Sequence, residues 1–306
     1  MEFKHIPVLK NEVLEALNLP QNKLIVDGTI GGGGHSEAIL TSGNGSSIIG
    51  LDRDAEAIAS SKKRLEQFGG RVTFVKSNYK NIPQVLDEMQ TKVDGVLLDL
   101  GVSSYQLDNP ERGFSFRSDA KLDMRMDRED GITAEEILNT YTEKELTKIF
   151  KQYGEEKYSS SIAREIVKKR PLHTTGELRA LIESLVPPYK KYDTIGTLQR
   201  IFQALRIEVN DELNGLYELI LELPKHINKG GRIAIITFHP LEDKIVKDAY
   251  IELAKDCICP PSFPKCVCNH RSQGTILNKK PIMASKLELE NNSRASSAKL
   301  RVFEVN

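Results

Sequence analysis

Two short runs of this chain hold residue types that could do chemistry. In the first, Val26-Asp27-Gly28-Thr29-Ile30-Gly31-Gly32-Gly33-Gly34-His35-Ser36, an apolar stretch ends in a carboxylate, four consecutive glycines follow, and a helical pattern begins. Glycines accept positive φ and let a ligand approach the backbone, and the first N–H groups of the next helix face whatever lies in the turn. Such a turn handles nucleotides, although the same glycines could also make a tight turn and nothing more. In the second run an apolar strand ends in Asp99 and leads into Gly101, Ser103 and Ser104. A carboxylate there could accept hydrogen bonds from an amine, or hold a cofactor without a catalytic role.

The acids discriminate between nucleotide classes. A dinucleotide site wants G-x-G-x-x-G, but counting from Gly31 puts Ser36 at the third glycine position, and counting from Gly32 puts Glu37 there. Asp27 would also repel a pyrophosphate. It would attract the sulfonium and ammonium of S-adenosylmethionine instead. Asp52 ends the next apolar run, Ser47 to Asp52, where one carboxylate can accept from both hydroxyls of a ribose. An exocyclic amine on a nucleobase is a poor nucleophile, because its lone pair is delocalised into the ring. Acceptors on its two hydrogens, here the Asp99 carboxylate and the Leu100 carbonyl, would localise that pair. The rival to an S-adenosylmethionine-dependent enzyme among enzymes is a nicotinamide oxidoreductase, and outside enzymology a protein that uses the cofactor pocket structurally.

The elements that must position these acids alternate along the first hundred residues. Leu24 to Ile30, Ser47 to Asp52, Val72 to Ser77 and Val93 to Asp99 read as strands, and Ser36 to Thr41, Ala55 to Phe68 and Ile82 to Met89 as helices between them. Alternation of this kind implies a mostly parallel, Rossmann-like α/β sheet whose ligands collect at the carboxyl ends of the strands. The next strand, Gly231 to Phe238, follows only after about 130 residues, which is far too long for a simple crossover. An inserted all-helical subdomain over 107–201 explains the gap, with 1–106 and 202–306 forming the core and Phe202 to Leu223 returning to the sheet as helix. Capping boxes at Thr133/Glu136, Thr142/Glu145 and Thr174/Glu177 announce the insert's helices, and Gly154, Pro171 and Pro187 stop them. Lys280 to Ala284 and Lys299 to Val305 read as a last pair of strands.

Composition adds little: Lys plus Arg and Asp plus Glu are both 43, so no global basicity points to nucleic acid. From Lys265 to Arg301, however, eight Lys/Arg face two Glu. Met1 to Leu9 lacks the apolar core of a signal peptide, and no segment has the apolar length to span a bilayer, so a cytoplasmic protein with no membrane partner is expected. There the four cysteines, Cys257, Cys259, Cys266 and Cys268, stay reduced. Paired C-x-C arms could close a tetrahedral zinc site, or the prolines between them could shape a loop in which the cysteines are passengers. No metal is counted among the site residues.

The motifs together resemble the bacterial 16S ribosomal RNA cytosine-N4 methyltransferases, the RsmH or MraW family. They are Asp27-Gly-Thr-x-Gly-Gly-Gly-Gly-His35-Ser36, Asp52-Arg53-Asp54, Leu98-Asp99-Leu-Gly-Val-Ser-Ser104 with Gln106-Leu-Asp108, and Arg112-Gly-Phe-Ser-Phe116. Leu122-Asp-Met-Arg-Met126, Tyr153-Gly-Glu-Glu156, Phe202 to Asn210, Phe238-His-x-Leu-Glu-Asp243 and Ala298-Lys-Leu-Arg301 extend the likeness over essentially the whole chain. The resemblance implies a class I methyltransferase fold and transfer of a methyl group from S-adenosylmethionine to a cytidine amine in the decoding centre of the small ribosomal subunit. It also implies cofactor contacts from Gly33, Gly34, His35, Asp52, Tyr79, Asp99 and Gln106, with Asp99 catalytic. Departures are Tyr79 where Phe is commoner, Pro240 where Ser is usual, Ser296 where the family carries an Arg, and no Pro-Pro-aromatic after Asp99, so Tyr105, Phe114 or Phe116 would stack on the base. Lys280, Arg294, Lys299 and Arg301, with Arg112, Arg117 and Arg125 of the insert, are the candidate RNA contacts.

Overall fold

A computed structural model of the chain describes residues 7–19, 23–42, 45–185, 191–260, 263, 265–268 and 270–306. The Pro187 stop and the first six residues of the segment read for a leader lie outside them. The chain divides into two compact units, one of Met1–Gly101 with Asn214–Asn306 and one of Val102–Leu213.

The first unit is built on one sheet. Its strands are β1 (Leu24–Asp27), β2 (Ser47–Asp52), β3 (Val72–Lys76), β4 (Val93–Asp99), β5 (Ile227–Thr237), β6 (Gly274–Ile276) and β7 (Lys299–Val305), in the order β3-β2-β1-β4-β5-β7-β6. The first five pair in parallel, and β7 runs antiparallel to both β5 and β6. This is the class I Rossmann-like arrangement. Ile25, Val26, Val96, Leu97, Leu98, Ile233 and Ile235 are all buried, as strands covered on both faces require. The chain leaves β1 for β2 on one side while β4 lies on the other, so a crevice is expected beyond the carboxyl ends of these strands. Asp27, Asp52 and Asp99 stand there as the last residues of β1, β2 and β4.

Three details differ from the sequence expectation. β1 stops at Asp27 rather than Ile30, because Gly28 N–H already bonds the Leu97 carbonyl and Ile30 N–H the Leu51 carbonyl, which turns the chain away from the ladder. Lys280 to Ala284 is not a strand: only Ile282 bridges Leu300, and β6 is the strand beside β7. The Asn278 side chain takes the place of a ladder partner, accepting from Val302 N–H at 2.7 Å and donating to the Leu300 carbonyl at 2.9 Å, and Pro281 has no N–H to offer.

The third difference is the span of the helical unit. It runs from 102 to 213 rather than 107 to 201, since Phe202, Leu205 and Val209 of the helix Lys191–Asn210 bury in its core with Met124, Phe150 and Ile166. All three capping boxes form, the Thr142 pair with hydroxyl and carboxylate each accepting the other residue's backbone N–H. No helix among the described residues is long and apolar enough to cross a membrane.

Candidate active site at the carboxyl edge of the sheet

The glycine turn is held from two sides by carboxylates. Asp27, 1% exposed, accepts from Ser36 Oγ at 2.7 Å and from Thr29 N–H at 3.3 Å, which ties the end of β1 to the helix Gly34–Ser42. Asp52 accepts the N–H of Gly31 and of Asp54, both at 2.9 Å, and two of its lone-pair sites remain. Gly31 and Gly33 sit at φ of 50° and 77°, where a side chain would be strained. Gly33 spends its N–H on the Ile30 carbonyl, and the helix begins at the next residue, Gly34. At Gly32 an added Cβ would meet nothing within 4 Å; the bare backbone there faces open space.

Asp99 lies across the turn from these groups. Thr29 Oγ1 accepts its backbone N–H at 2.7 Å, and His35 Nε2 stands 3.6 Å from its Oδ2. Its Oδ1 is buried and has no hydrogen-bond partner. Burial, then the nearby charges of Asp27 and Glu242, push the Asp99 carboxyl up to about 8. Burial likewise lifts Asp27 and Asp52 to about 6, against the hydrogen bonds they accept. Three buried acids crowded at one sheet edge resist ionisation even with Arg53 beside Asp52, and a positively charged ligand would relieve all three. That donor set fits S-adenosylmethionine and does not fit a pyrophosphate.

Six of the seven expected cofactor residues therefore gather in the sheet unit: Gly33, Gly34, His35, Asp52, Asp99 and Tyr79, the last in the short helix Tyr79–Asn81 against Gly28. Gln106 belongs to the helical unit, where its Oε1 accepts Ser103 N–H at 3.0 Å and its own N–H bonds Ser103 Oγ, a capping box. Two participants escaped the sequence reading. Thr29 supports Asp99, and its signal is a hydroxyl two residues after a strand-end acid. Glu242 is 2% exposed, accepts Phe238 N–H at 2.9 Å and adds its charge to the field on Asp99.

The expected RNA contacts divide sharply. Arg301 is 6% exposed and grips Asp243 through two bonds of 2.6 and 3.0 Å; against the cost of burial, they hold the Asp243 carboxyl below the usual carboxylate range. Lys299 reaches the same carboxylate at 3.8 Å. Arg125 pairs with Asp123 at 2.7 and 3.2 Å, and the buried Arg112 donates to the carbonyls of Arg125 and Met126. Arg112, Arg125 and Arg301 thus serve the fold. Arg117 and Lys280 are exposed. Of the three aromatics, Phe114 is buried and Phe116 packs edge-on against Phe202 at 5.4 Å, which leaves Tyr105, 45% exposed, as the one open to a base.

Comparison with known proteins bears on all of this. The model of the MraW methylase family matches residues 2–306. A ribosomal RNA small subunit methyltransferase H of Clostridium botulinum is 51% identical over 308 residues, covering 99% of both chains. A ribosomal RNA small subunit methyltransferase H 2 of Agathobacter rectalis is 49% identical, over 100% of this chain and 99% of its own. The methyltransferase H of Halothermothrix orenii is also 49% identical, over 99% of this chain and 98% of its own.

Proposed function

The chain belongs to the MraW methylase family, and from that premise we propose that it methylates the exocyclic N4 amine of a cytidine in 16S ribosomal RNA, acting on the small ribosomal subunit in the cytoplasm. The observation that carries the reading is Asp99, a strand-end acid with an unpartnered buried oxygen and a carboxyl lifted to about 8 by burial and by the charges of Asp27 and Glu242.

S-adenosylmethionine, when bound, supplies an electrophilic methyl group on a positively charged sulfur. Asp52 would hold the ribose hydroxyls with the lone pairs its backbone bonds leave free. Tyr79 offers a ring for the adenine, and Gly34 and His35 offer backbone donors at the helix start beside Gly33. Gln106 joins this set on the resemblance. Asp27 and Asp99 provide the negative charge that selects a cationic ligand over a pyrophosphate. Asp99 Oδ1 would accept an N–H of the target amine, which returns lone-pair density to the nitrogen as it attacks. The methylated nitrogen must then lose one proton, and a carboxyl with so raised an affinity is a competent acceptor. Thr29, by holding the Asp99 backbone, fixes where that oxygen points. Most of the rate enhancement then comes from alignment, because the methyl donor is already reactive.

The test is transfer of a labelled methyl group to small subunits isolated from cells lacking the protein, with mass spectrometry locating the label. Label on a cytidine N4 is expected. Cofactor binding without transfer would favour an assembly factor with a structural pocket, and binding of a nicotinamide dinucleotide would overturn the cofactor assignment.

A further inference from the structure

All four cysteines of the chain lie between the helix Pro240–Leu253 and β6. Their sulfurs converge. Cys266 Sγ and Cys268 Sγ are 3.5 Å apart, Cys268 Sγ and Cys257 Sγ 3.7 Å, and the four Sγ atoms all lie within 4.8 Å of one another. A disulfide would bring two sulfurs to about 2.05 Å. Four sulfurs each about 2.3 Å from one zinc ion stand about 3.8 Å apart along the edges of the tetrahedron. The separations of 3.5 and 3.7 Å lie near that edge length and far from a disulfide's.

Backbone donors surround the cluster in the way thiolates need. Ile258 N–H points to Cys268 Sγ at 3.5 Å, Cys259 N–H to Cys257 Sγ at 3.4 Å, and Val267 N–H to Cys259 Sγ at 3.3 Å. Such outer hydrogen bonds orient ligands and stabilise charge on sulfur. They also explain how a C-x-C spacing serves, since the second cysteine of the first pair donates its own N–H to the sulfur of the first.

Among its described residues the loop buries no side chain that could hold it together. Its base is closed by Gln273 N–H on the Leu253 carbonyl at 2.8 Å. Beyond that, none of its described residues from 255 to 268 is buried, and Ile258, Phe263 and Val267 are 55%, 50% and 66% exposed. Hydrophobic burial cannot be what draws four side chains to one point. A cross-link through a shared ion can.

We infer that Cys257, Cys259, Cys266 and Cys268 bind one zinc ion in a closed four-thiolate site that orders this loop. Each thiol releases its proton to solvent as its sulfur takes the metal. With every position filled by protein the ion has no place for substrate, so its role is structural. Apart from the proposed catalysis, this site stands or falls on metal content.

The full-length protein, purified under reducing conditions without chelator and analysed for metals, should carry about one zinc per chain. A mercurial that caps thiols should release it, and trypsin should cut after Lys265 only once the zinc has been removed. The Cys259→Ser/Cys266→Ser double variant should lose the metal, whereas Cys266→His, which keeps a zinc ligand, should retain it. If the double variant fails to fold, Cys266→His and the protection of wild-type thiols still decide. Zinc-loaded wild-type protein that keeps no metal after desalting, with thiols that react equally fast with and without zinc, overturns the inference. So does iron found in place of zinc.

Discussion

Asp99 makes cofactor binding a proton-linked event, and Asp99→Asn should remove most of the linkage. Its carboxyl rises from 3.8 to about 8 through burial and the charges of Asp27 and Glu242. At pH 6 roughly one molecule in a hundred carries the ionised form, and at pH 8 about half do. If the cationic ligand selects the ionised form, affinity should climb roughly fifty-fold between those values. Calorimetry at pH 7 in two buffers of different ionisation enthalpy should detect about one proton released per cofactor bound. The amide variant should lose most of this rise over pH 6 to 8, keeping only the few-fold part that Asp27 and Asp52, lifted to about 6, contribute, and at pH 8 it should bind about 1.5–3 kcal/mol more weakly, the worth of a charge-assisted bond. Its single-turnover rate should fall while subunit affinity holds. Stability should move the opposite way: the ligand-free native state keeps a proton that the unfolded chain loses above about pH 4, so the fold weakens as pH rises from about 4 to about 8. A wild-type affinity that is level from pH 6 to 8, or a variant that keeps the full slope, would refute the reasoning.

Asp52→Ala should weaken cofactor binding by about 1.5–3 kcal/mol and loosen the turn by stranding Gly31 N–H, both readable by calorimetry and amide hydrogen exchange. Arg301→Ala should cost about 3 kcal/mol in denaturant unfolding, because it leaves Asp243 without its buried partner; an unchanged unfolding midpoint would return Arg301 to the list of RNA contacts. Replacing Lys280 and Arg294 together by Ala should weaken small-subunit binding, flatten its salt dependence and spare cofactor affinity. Wild-type binding by that variant across a salt series would remove the C-terminal face from the RNA platform.

Local chemistry made much of this protein legible from its sequence. A hydroxyl three residues before a carboxylate has one common use, so the helix starts at Thr133, Thr142 and Thr174 could be read directly. The strands ending in Asp52 and Asp99 were equally plain, since continuous apolar runs closed by an acid suit a covered parallel sheet, whereas the first strand was read three residues too long, past Asp27 to Ile30. Those two signals brought the acids to one edge without any coordinates. Tertiary structure decided whatever depended on partners distant in the chain. Arg301 looks like a phosphate contact until Asp243 is seen beside it, 58 residues away, and Phe116 looks like a base platform until Phe202 covers its edge. Phe202 to Val209 carries a helical pattern that suits either unit, and only the apolar face it meets assigns it to the insert. The cysteines are the sharpest case: spacing favoured a passenger loop over a metal site, and four sulfurs within 4.8 Å of one another reverse that preference. Side-chain type and short-range periodicity are properties of a few residues, whereas charge pairing, burial and the lift on the Asp99 carboxyl are properties of the surroundings that folding assembles.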